Sequence, residues 1–109
     1  EAAGLMAETV ELKRAREEQA GGLVVLQARY STADPAAAAL DVTGPLQYQV
    51  EAGQLHIPAG ISKSTLPGFY DMAPGEHKQL YVLYMHRQKI MPALTLDDDE
   101  PLTLPLPDN

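Results

Sequence analysis

The fold is decided at residues 21–30, where the chain reads GGLVVLQARY. The two glycines can adopt the left-handed conformation that ends a helix. The apolar run Leu23–Leu26 that follows is typical of a buried, central strand. Beyond it, Gln27 and Arg29 alternate with less polar neighbours, so the far end of this strand meets solvent. The stretch therefore predicts a boundary between an N-terminal helix and a β-rich remainder.

Residues 1–22 are predicted to form the end of a longer amphipathic helix. They are rich in Ala, Glu, Leu, Lys and Arg and contain no Pro. Val10 and Leu12 fall on the apolar face of this helix, whereas residues 13–18 are almost entirely charged and are expected to be solvated. Glu1 already lies within helical sequence, without an initiator Met or a leader. We therefore expect a piece of a longer protein, in which this helix is a detachable appendage.

Residues 23–105 are predicted to form a β domain, followed by an exposed tail at 106–109. From Leu23 onward the apolar residues repeat every two positions, and turn residues recur at short intervals. This pattern favours a mainly β fold: a small antiparallel β-sandwich or partly closed barrel with an N-terminal α-helix. Besides the strand at 23–30, the pattern predicts strands at 40–50, 55–57, 80–86, 90–96 and 102–104.

The stretch 40–50 is interpreted as one strand with a buried and a wet face. Its even-numbered positions are largely apolar, so Leu46 is expected to face the core and Gln47 the solvent. Gly44 and Pro45 interrupt this alternation. Since Pro cannot donate to a strand ladder, an edge position or a bulge is expected there.

Composition limits the classes of function. The 109 residues suffice for one domain, and five Tyr, one Phe and no Trp predict a mainly aliphatic core. Eight Lys and Arg against fifteen Asp and Glu give a net charge of −7, which disfavours nucleic acid and anionic membranes as partners. There is no Cys and no apolar stretch of membrane-spanning length.

Metal and cofactor sites have little support in the sequence. The three histidines lack the spacing of a zinc site, and Asp97–Glu100 lacks that of a calcium loop, so it is interpreted as a solvated hairpin tip. No phosphate-binding glycine motif is present. We therefore predict no metal, no cofactor and no nucleotide, with the histidines at a turn or facing water on strands: His56, His77 and His86.

A catalytic role is not predicted either. Ser62 or Ser64 could be combined with His77 and Asp71 in a hydrolase built on the long loop at 58–78. The nucleophile motif of such enzymes is missing. The hydrolase remains as a remote alternative, which requires His77 within hydrogen-bonding distance of one of the serines.

The segment 58–78 carries three Pro and three Gly and is predicted to be irregular. At its centre stands Leu66–Asp71, which includes the single Phe of the chain. Phe69 and Tyr70 could be an exposed aromatic anchor for a partner, or Phe69 could fill one end of the core. We favour burial of Phe69, with Tyr70 at the rim and Asp71 holding the turn.

This loop and its flanks resemble the C-terminal domain family of DnaJ homolog subfamily C member 11, a domain of unknown function in mitochondrial J-domain proteins. The similarity extends over about residues 5–105, with departures at Met72 and Gln88. The matching stretches are Asp41-Val42-Thr43, Pro45-Leu46-Gln47, Ser62-Lys63, Leu66-Pro67-Gly68-Phe69-Tyr70-Asp71, Gly75-Glu76, Lys78, Leu80 and Val82-Leu83-Tyr84.

The resemblance implies a non-catalytic protein-interaction domain that supports mitochondrial membrane and cristae organisation. Its expected partners are proteins of the contact-site and outer-membrane sorting assemblies, and its expected location is the mitochondrial outer membrane. An Hsp70 would be reached only through a J-domain, whose His-Pro-Asp motif this sequence lacks. A co-chaperone domain that binds unfolded substrates is the alternative. The candidate structural or partner-binding loop comprises Lys63, Leu66, Pro67, Gly68, Phe69, Tyr70 and Asp71.

Overall fold

The protein is a helix followed by antiparallel strands. The computed structural model describes residues 2–34 and 37–106, with the backbone alone for residues 2–7. The elements are α1 (Ala2–Ala20), β1 (Leu23–Thr32), β2 (Leu40–Asp41), α2 (Thr43–Tyr48), β3 (Leu55–Ile57), β4 (Lys78–His86), β5 (Lys89–Ile90), β6 (Leu94–Asp97) and β7 (Leu102–Leu104). A short 3₁₀ turn, Lys63–Thr65, lies between β3 and β4.

The strands form two antiparallel sheets around one core. In the larger sheet, β1 lies between β2 and β4, and β4 also pairs with β5 and β6; in the smaller sheet, β3 pairs with β7. The predicted mainly β fold with an N-terminal helix is confirmed. Within the described residues, the strands do not close into a barrel.

β1 is the central strand that its sequence predicts. It pairs with β4 from Leu23 to Thr32, and the register shifts between Val25 and Gln27. This bulge turns Leu26 away from the core, and the side chain is 39 % exposed. The alternation resumes afterwards, which buries Tyr30.

The core combines aliphatic side chains with three aromatic ones. Tyr30 and Tyr84 are fully buried, and Phe69 is 7 % exposed. The expectation of a mainly aliphatic core is confirmed, although half of the six aromatic residues also contribute to it. The other core members are Leu23, Val25, Ala28, Val42, Leu46, Val50, Leu55, Ile57, Leu80, Val82, Leu96, Leu102 and Leu104.

The predicted strand at 40–50 is wrong. Only its first two residues are strand, and most of the remainder is α2. Val42, Leu46 and Val50 are buried at spacings of four, which places them on one face of a helical turn as well as on one face of a strand. Pro45 lies in the first turn of α2, where its missing N–H has no intrahelical acceptor to lose.

α2 covers the part of the β1 edge that β2 leaves unpaired. The side chain of Gln47 accepts a hydrogen bond from the Val25 N–H at 2.7 Å and donates to the Leu23 carbonyl at 3.1 Å. Thr43 Oγ1 accepts from the Ala28 N–H at 2.9 Å. Gln47 is fully buried, so the expectation that it faces solvent is wrong. Its amide replaces the backbone of a neighbouring strand and protects an edge.

The second half of α1 packs on the domain. Val10 and Glu17 are buried, and a Glu17 carboxylate oxygen accepts a hydrogen bond from the Leu23 N–H at 2.9 Å. Full solvation of residues 13–18 is therefore wrong, and so is the placement of Leu12 on the apolar face, because Leu12 is 66 % exposed. The helix ends where predicted, and Gly21 has a φ of +69°. Whether 23–105 is an independent domain stays a prediction.

The predicted hairpin at 80–96 is confirmed, with β5 and β6 pairing successively along β4. A single continuous strand at 90–96 is wrong, because residues 91–93 separate β5 from β6. Its turn uses Arg87 and Gln88, both in the left-handed region with φ of 54° and 62°. Of the predicted tail, Leu106 is exposed and 107–109 lie outside the described residues. No helix among the described residues is long and apolar enough to span a membrane.

Candidate functional site: the 62–71 loop and its anchor

The candidate site is the loop at 62–71 together with the turn at 97–100, which holds it. Ser62 opens the 3₁₀ turn, and its side chain accepts a hydrogen bond from the Ser64 N–H at 3.3 Å. The turn closes with the Leu66 N–H donating to the Lys63 carbonyl at 3.0 Å. This short local structure aims the Lys63 side chain inward.

Lys63 is fully buried, and its amine donates to three backbone carbonyls. The acceptors are the carbonyls of Asp97 at 3.0 Å, Asp98 at 2.8 Å and Glu100 at 2.7 Å. All three N–H groups of the ammonium therefore have a partner, which a buried charge requires. Burial lowers the pKa of Lys63, against the opposing effect of the carboxylates on this turn. We call this arrangement the Lys63 clamp.

Asp98 is the second residue that holds the start of the loop. Its carboxylate accepts hydrogen bonds from the Tyr30 hydroxyl at 2.5 Å, the Ser62 hydroxyl at 2.7 Å and the Lys63 N–H at 2.9 Å. Burial acts to raise the pKa of Asp98, but these hydrogen bonds and the Lys63 charge outweigh it and hold the pKa below its ordinary value. The interpretation of this turn as a solvated tip is therefore wrong for Asp98.

Tyr30 links the anchor to the core. Burial, together with the neighbouring Asp98 carboxylate, raises the pKa of Tyr30 to about 12. Its ring meets Phe69 edge to face, with centroids 5.5 Å apart and planes at 65°. The favoured burial of Phe69 is confirmed. One tyrosine thus fixes both the start and the middle of the loop.

A tight turn brings the chain from the half-buried Leu66 to Phe69. The Phe69 N–H donates to the Leu66 carbonyl at 3.0 Å, and Gly68 has a φ of +82°. A residue with positive φ after Pro67 is typical of a type II turn, for which Pro-Gly is the preferred pair. Pro67 and Gly68 are both exposed. The Pro-Gly pair therefore sets the direction in which the next two residues leave.

Tyr70 points to solvent next to the buried Phe69. Its side chain is 58 % exposed, which agrees with the expected position at the rim. Asp71 then closes the loop: its carboxylate accepts from the Ala73 N–H at 3.2 Å and pairs with the Lys78 amine at 2.9 Å. The hydrogen bond from Lys78 holds the pKa of Asp71 below its ordinary value. The expected turn-holding role of Asp71 is confirmed.

The residues of the alternative sites have other partners. His77 Nε2 lies 3.0 Å from an Asp97 carboxylate oxygen, while Ser62 is bonded to Asp98 and to Ser64. In the described part of the chain, no hydrogen bond joins His77 to either serine, so the hydrolase alternative lacks the contact on which it depends. Across those same residues, no group of three or more His, Cys, Asp or Glu side chains could hold a metal ion.

Sequence reasoning missed Asp98 and Tyr30 as parts of this site. The available signal was the single lysine in Ser62–Leu66, placed between serines in an otherwise uncharged stretch. A cation there needs a partner, and the acidic run at 97–100 is the densest source of one. Only the fold shows that backbone carbonyls, not carboxylates, bind the amine.

Comparison with known proteins shows which proteins this chain is similar to. No solved structure matches it. It is 38 % identical over 102 residues to DnaJ homolog subfamily C member 11 of Bos taurus, covering 87 % of this chain and 18 % of that protein. For the Mus musculus protein of the same name, the identity is 37 % over 108 residues, covering 93 % and 19 %. For the homologue from Dictyostelium discoideum it is 34 % over 113 residues, covering 94 % and 20 %.

The chain thus spans about one fifth of the length of these relatives. The profile of the family described as DnaJ-like protein C11, C-terminal, matches residues 1–105. That match includes both the loop and the turn that anchors it. The resemblance seen in the loop sequence is confirmed, and the chain belongs to the C-terminal domain family of DnaJ-like protein C11.

Proposed function

We propose that this chain is a non-catalytic protein-interaction domain of a J-domain protein. It acts at the mitochondrial outer membrane and supports membrane and cristae organisation through the contact-site and sorting assemblies. Membership of the DnaJ-like C11 family supports the J-protein context. The mitochondrial partners rest on the resemblance of the loop sequence to that family.

The observation that carries the proposal is the contrast between two adjacent residues. Phe69 is 7 % exposed and Tyr70 is 58 % exposed, on a loop that is anchored at both ends. The Lys63 clamp holds the entry of the loop, and the Asp71–Lys78 ion pair holds its exit. An aromatic side chain is thus presented to solvent from a backbone that is already ordered.

Such an arrangement suits recognition energetically. Ordering a loop on binding costs free energy, and a loop that is ordered beforehand avoids that cost. Tyrosine is enriched among the residues that dominate interfaces, where truncation typically costs about 2 kcal/mol or more. Pro67 and Gly68 lie beside Tyr70 and are exposed, which leaves room for a partner against the turn. We therefore assign the partner contact to Tyr70 and the Pro-Gly turn.

The proposed partners are proteins. The net charge of −7 disfavours nucleic acid and anionic lipid. The His-Pro-Asp motif of a J-domain does not occur in this sequence, so an Hsp70 is reached through another part of the parent protein. In this proposal the domain selects the assembly, and the J-domain acts on it.

Proximity labelling from the full-length parent tests the proposal. Tyr70→Ala should remove the contact-site and sorting proteins from the labelled set without changing the melting temperature of the domain. Ile90→Ala is the matched control, because Ile90 is also apolar and exposed, at 67 %, but lies on β5. Phe69→Ala should lose the same partners through unfolding.

The outcomes separate the alternatives. A Tyr70→Ala parent that labels the same proteins as the unchanged parent would refute the interaction surface. Loss of many unrelated unfolded proteins, with the assemblies retained, would favour the co-chaperone alternative. Loss of partners on Ile90→Ala but not on Tyr70→Ala would move the surface to the β4–β5 hairpin.

A further inference from the structure

A second surface lies on the outer face of the larger sheet. A cleft of about 300 Å³ crosses β1, β4 and β6 and is walled on one side by Asp34, Ala37 and Ala39. Arg29, Tyr81 and Thr95 stand side by side across the three strands, in directly paired positions. Ser31 and Gln79 form the next pair. None of the lining residues belongs to the 62–71 loop.

These side chains point outward because of strand alternation. Ala28 and Tyr30 are buried, so Arg29 between them faces the opposite side of the sheet. The same rule turns Tyr81 outward between the buried Leu80 and Val82. The floor of the cleft is therefore a row of polar side chains: a guanidinium, a phenol, an amide and hydroxyl groups.

Arg29 is the cation of this floor and is held without an ion pair. Its guanidinium carbon lies 5.0 Å from the centre of the Tyr81 ring. Among the described residues, the Arg29 guanidinium forms no ion pair and donates no hydrogen bond. Asp41 is its partner across β2 and interacts with it electrostatically, but the Asp41 carboxylate already accepts two hydrogen bonds from Thr43. The N–H groups of the guanidinium are thus available beside the Tyr81 ring.

We propose that this cleft binds an extended acidic peptide, with a Glu or Asp side chain of the peptide held by Arg29. A planar guanidinium takes a carboxylate through two parallel hydrogen bonds, which gives geometric selection as well as attraction. The hydroxyl groups of Ser31 and Thr95 and the amide of Gln79 supply donors and acceptors for the peptide backbone.

The size and surroundings of the cleft favour an extended chain. A second cleft of about 220 Å³ shares Thr32, Asp34 and Ala37 with the first and continues toward Ala73, Glu76 and His77. Because Asp34 and Glu76 line this continuation, the acidic side chain of the peptide belongs at Arg29 and not there. A peptide that fills the first cleft can therefore run on past the shared wall. The carboxylate at Arg29 then belongs to an internal side chain of the peptide rather than to its C-terminus.

The attraction for a peptide carboxylate comes from direct contact with Arg29, not from the overall field or from the net charge of the lining. The chain carries a charge of −7, which repels an acidic peptide at long range. Asp34 also lies in the lining. Selective binding of acidic peptides would therefore depend on direct contact with Arg29. Replacing Arg29 with a neutral residue should abolish that selectivity.

An array of terminally blocked octapeptides tests the proposal with the whole chain. Each member that contains Glu has a twin in which Gln replaces Glu. The chain should bind a subset of Glu members about tenfold more tightly than their Gln twins, and Arg29→Gln should abolish this difference. Arg87→Gln is the matched control, because Arg87 is an exposed cation on the β4–β5 turn. That variant should bind like the parent.

Further variants make the outcome decisive. Arg29→Lys keeps the charge but loses the planar pair of donors, and should lose most of the selectivity while melting like the parent. Equal binding of Glu peptides and their Gln twins would overturn the proposal. Selectivity for Glu that survives Arg29→Gln would also overturn it, and so would an array in which no peptide binds the chain. Stronger binding of unblocked C-termini than of internal Glu would overturn the assignment to a side chain. Tyr70→Ala should leave the array unchanged, which separates this site from the loop.

Discussion

Two lysines attach separate segments of the chain to the rest of the domain by similar hydrogen bonds, but one of them is buried and the other is partly exposed. The Lys63 amine donates to three backbone carbonyls of the 97–100 turn and is fully buried. The Lys13 amine donates to the carbonyls of Tyr48 and Val50, at 2.9 and 3.1 Å, and to the Glu51 carboxylate at 2.6 Å. Its side chain is 18 % exposed. Water can therefore reach the Lys13 side chain, whereas the Lys63 side chain is shielded from it.

The difference shows how burial determines the stabilisation free energy that a contact contributes. A buried acceptor that loses its donor costs about 1–3 kcal/mol, whereas exposed ion pairs contribute about 0.2–1 kcal/mol. We therefore expect the 62–71 loop to be a fixed part of the domain and α1 to be more loosely attached. The predictions below test this ranking.

The largest effect is expected from Lys63→Met. This change keeps the length of the side chain but leaves three carbonyls without a donor, so it should reduce the free energy of unfolding by about 3–5 kcal/mol. Urea denaturation measures the loss. Lys89→Met is the matched control, because Lys89 is exposed on β5. A loss for Lys63→Met no greater than for the control would refute the clamp.

Removal of residues 1–20 should have the next largest effect. The shortened chain loses the burial of Val10, the hydrogen bond to Glu17 and the contacts of Lys13, together worth about 2–4 kcal/mol. It should nevertheless unfold cooperatively on heating, because the two sheets and their core remain. If cooperative unfolding disappeared, α1 would be part of the core and the predicted division at residue 22 would be wrong.

Asp98→Asn should cost about 1.5–3 kcal/mol at neutral pH, since a charged acceptor of three hydrogen bonds is lost. The pKa of Asp98 is lower in the folded state than its ordinary value. Its contribution is therefore complete above the unfolded pKa, near 4, and is lost as the pH falls through the folded value.

Unfolding curves of the Asp98→Asn variant and the parent should accordingly converge as the pH falls below about 4. The comparison with Glu51→Gln sharpens the test, because Glu51 also has a lowered pKa but is exposed beside Lys13. Its separation from the parent should be much smaller at every pH. A gap for Asp98→Asn that stays constant into acid would contradict the proposed role of the ionised carboxylate.

The smallest effect is expected from Lys13→Met, about 0.2–1 kcal/mol, because water replaces the amine at the carbonyls and the ion pair is exposed. Chemical denaturation measures this change directly. Amide hydrogen exchange should show faster exchange in α1 with the sheets unaffected. A loss as large as that of Lys63→Met would show that the two attachments are equivalent.

The regular parts of the β region were predictable because their signals are local. Leu23–Leu26 and the residues after it predicted β1, and the apolar runs on either side of Arg87 predicted the hairpin. The stretch 40–50 failed because its even-numbered apolar residues satisfy both periods at once. Val42, Leu46 and Val50 are four apart, so they align on a helix as well as on a strand.

The candidate site was predictable in part. The single Phe beside a Tyr between Pro-Gly pairs indicated the loop, and the burial of Phe69 followed from its rarity in a small domain. The role of Lys63 could not be derived, since nothing local to it distinguishes a buried lysine from a solvated one. Asp98 was hidden among four consecutive acidic residues, of which it alone receives the Tyr30 hydroxyl.

The sequence by itself determined the end of the helix, the change to a period of two, the position of the irregular loop and the family. Each of these depends on residues close together in the chain. Tertiary structure alone decided that Gln47 caps an edge of β1, that Lys63 is enclosed and that Asp98 organises the loop. The partners in these contacts lie 22 to 68 positions apart in the chain. A polar side chain is buried only where distant backbone groups meet it with matching donors and acceptors, and that meeting is a property of the fold.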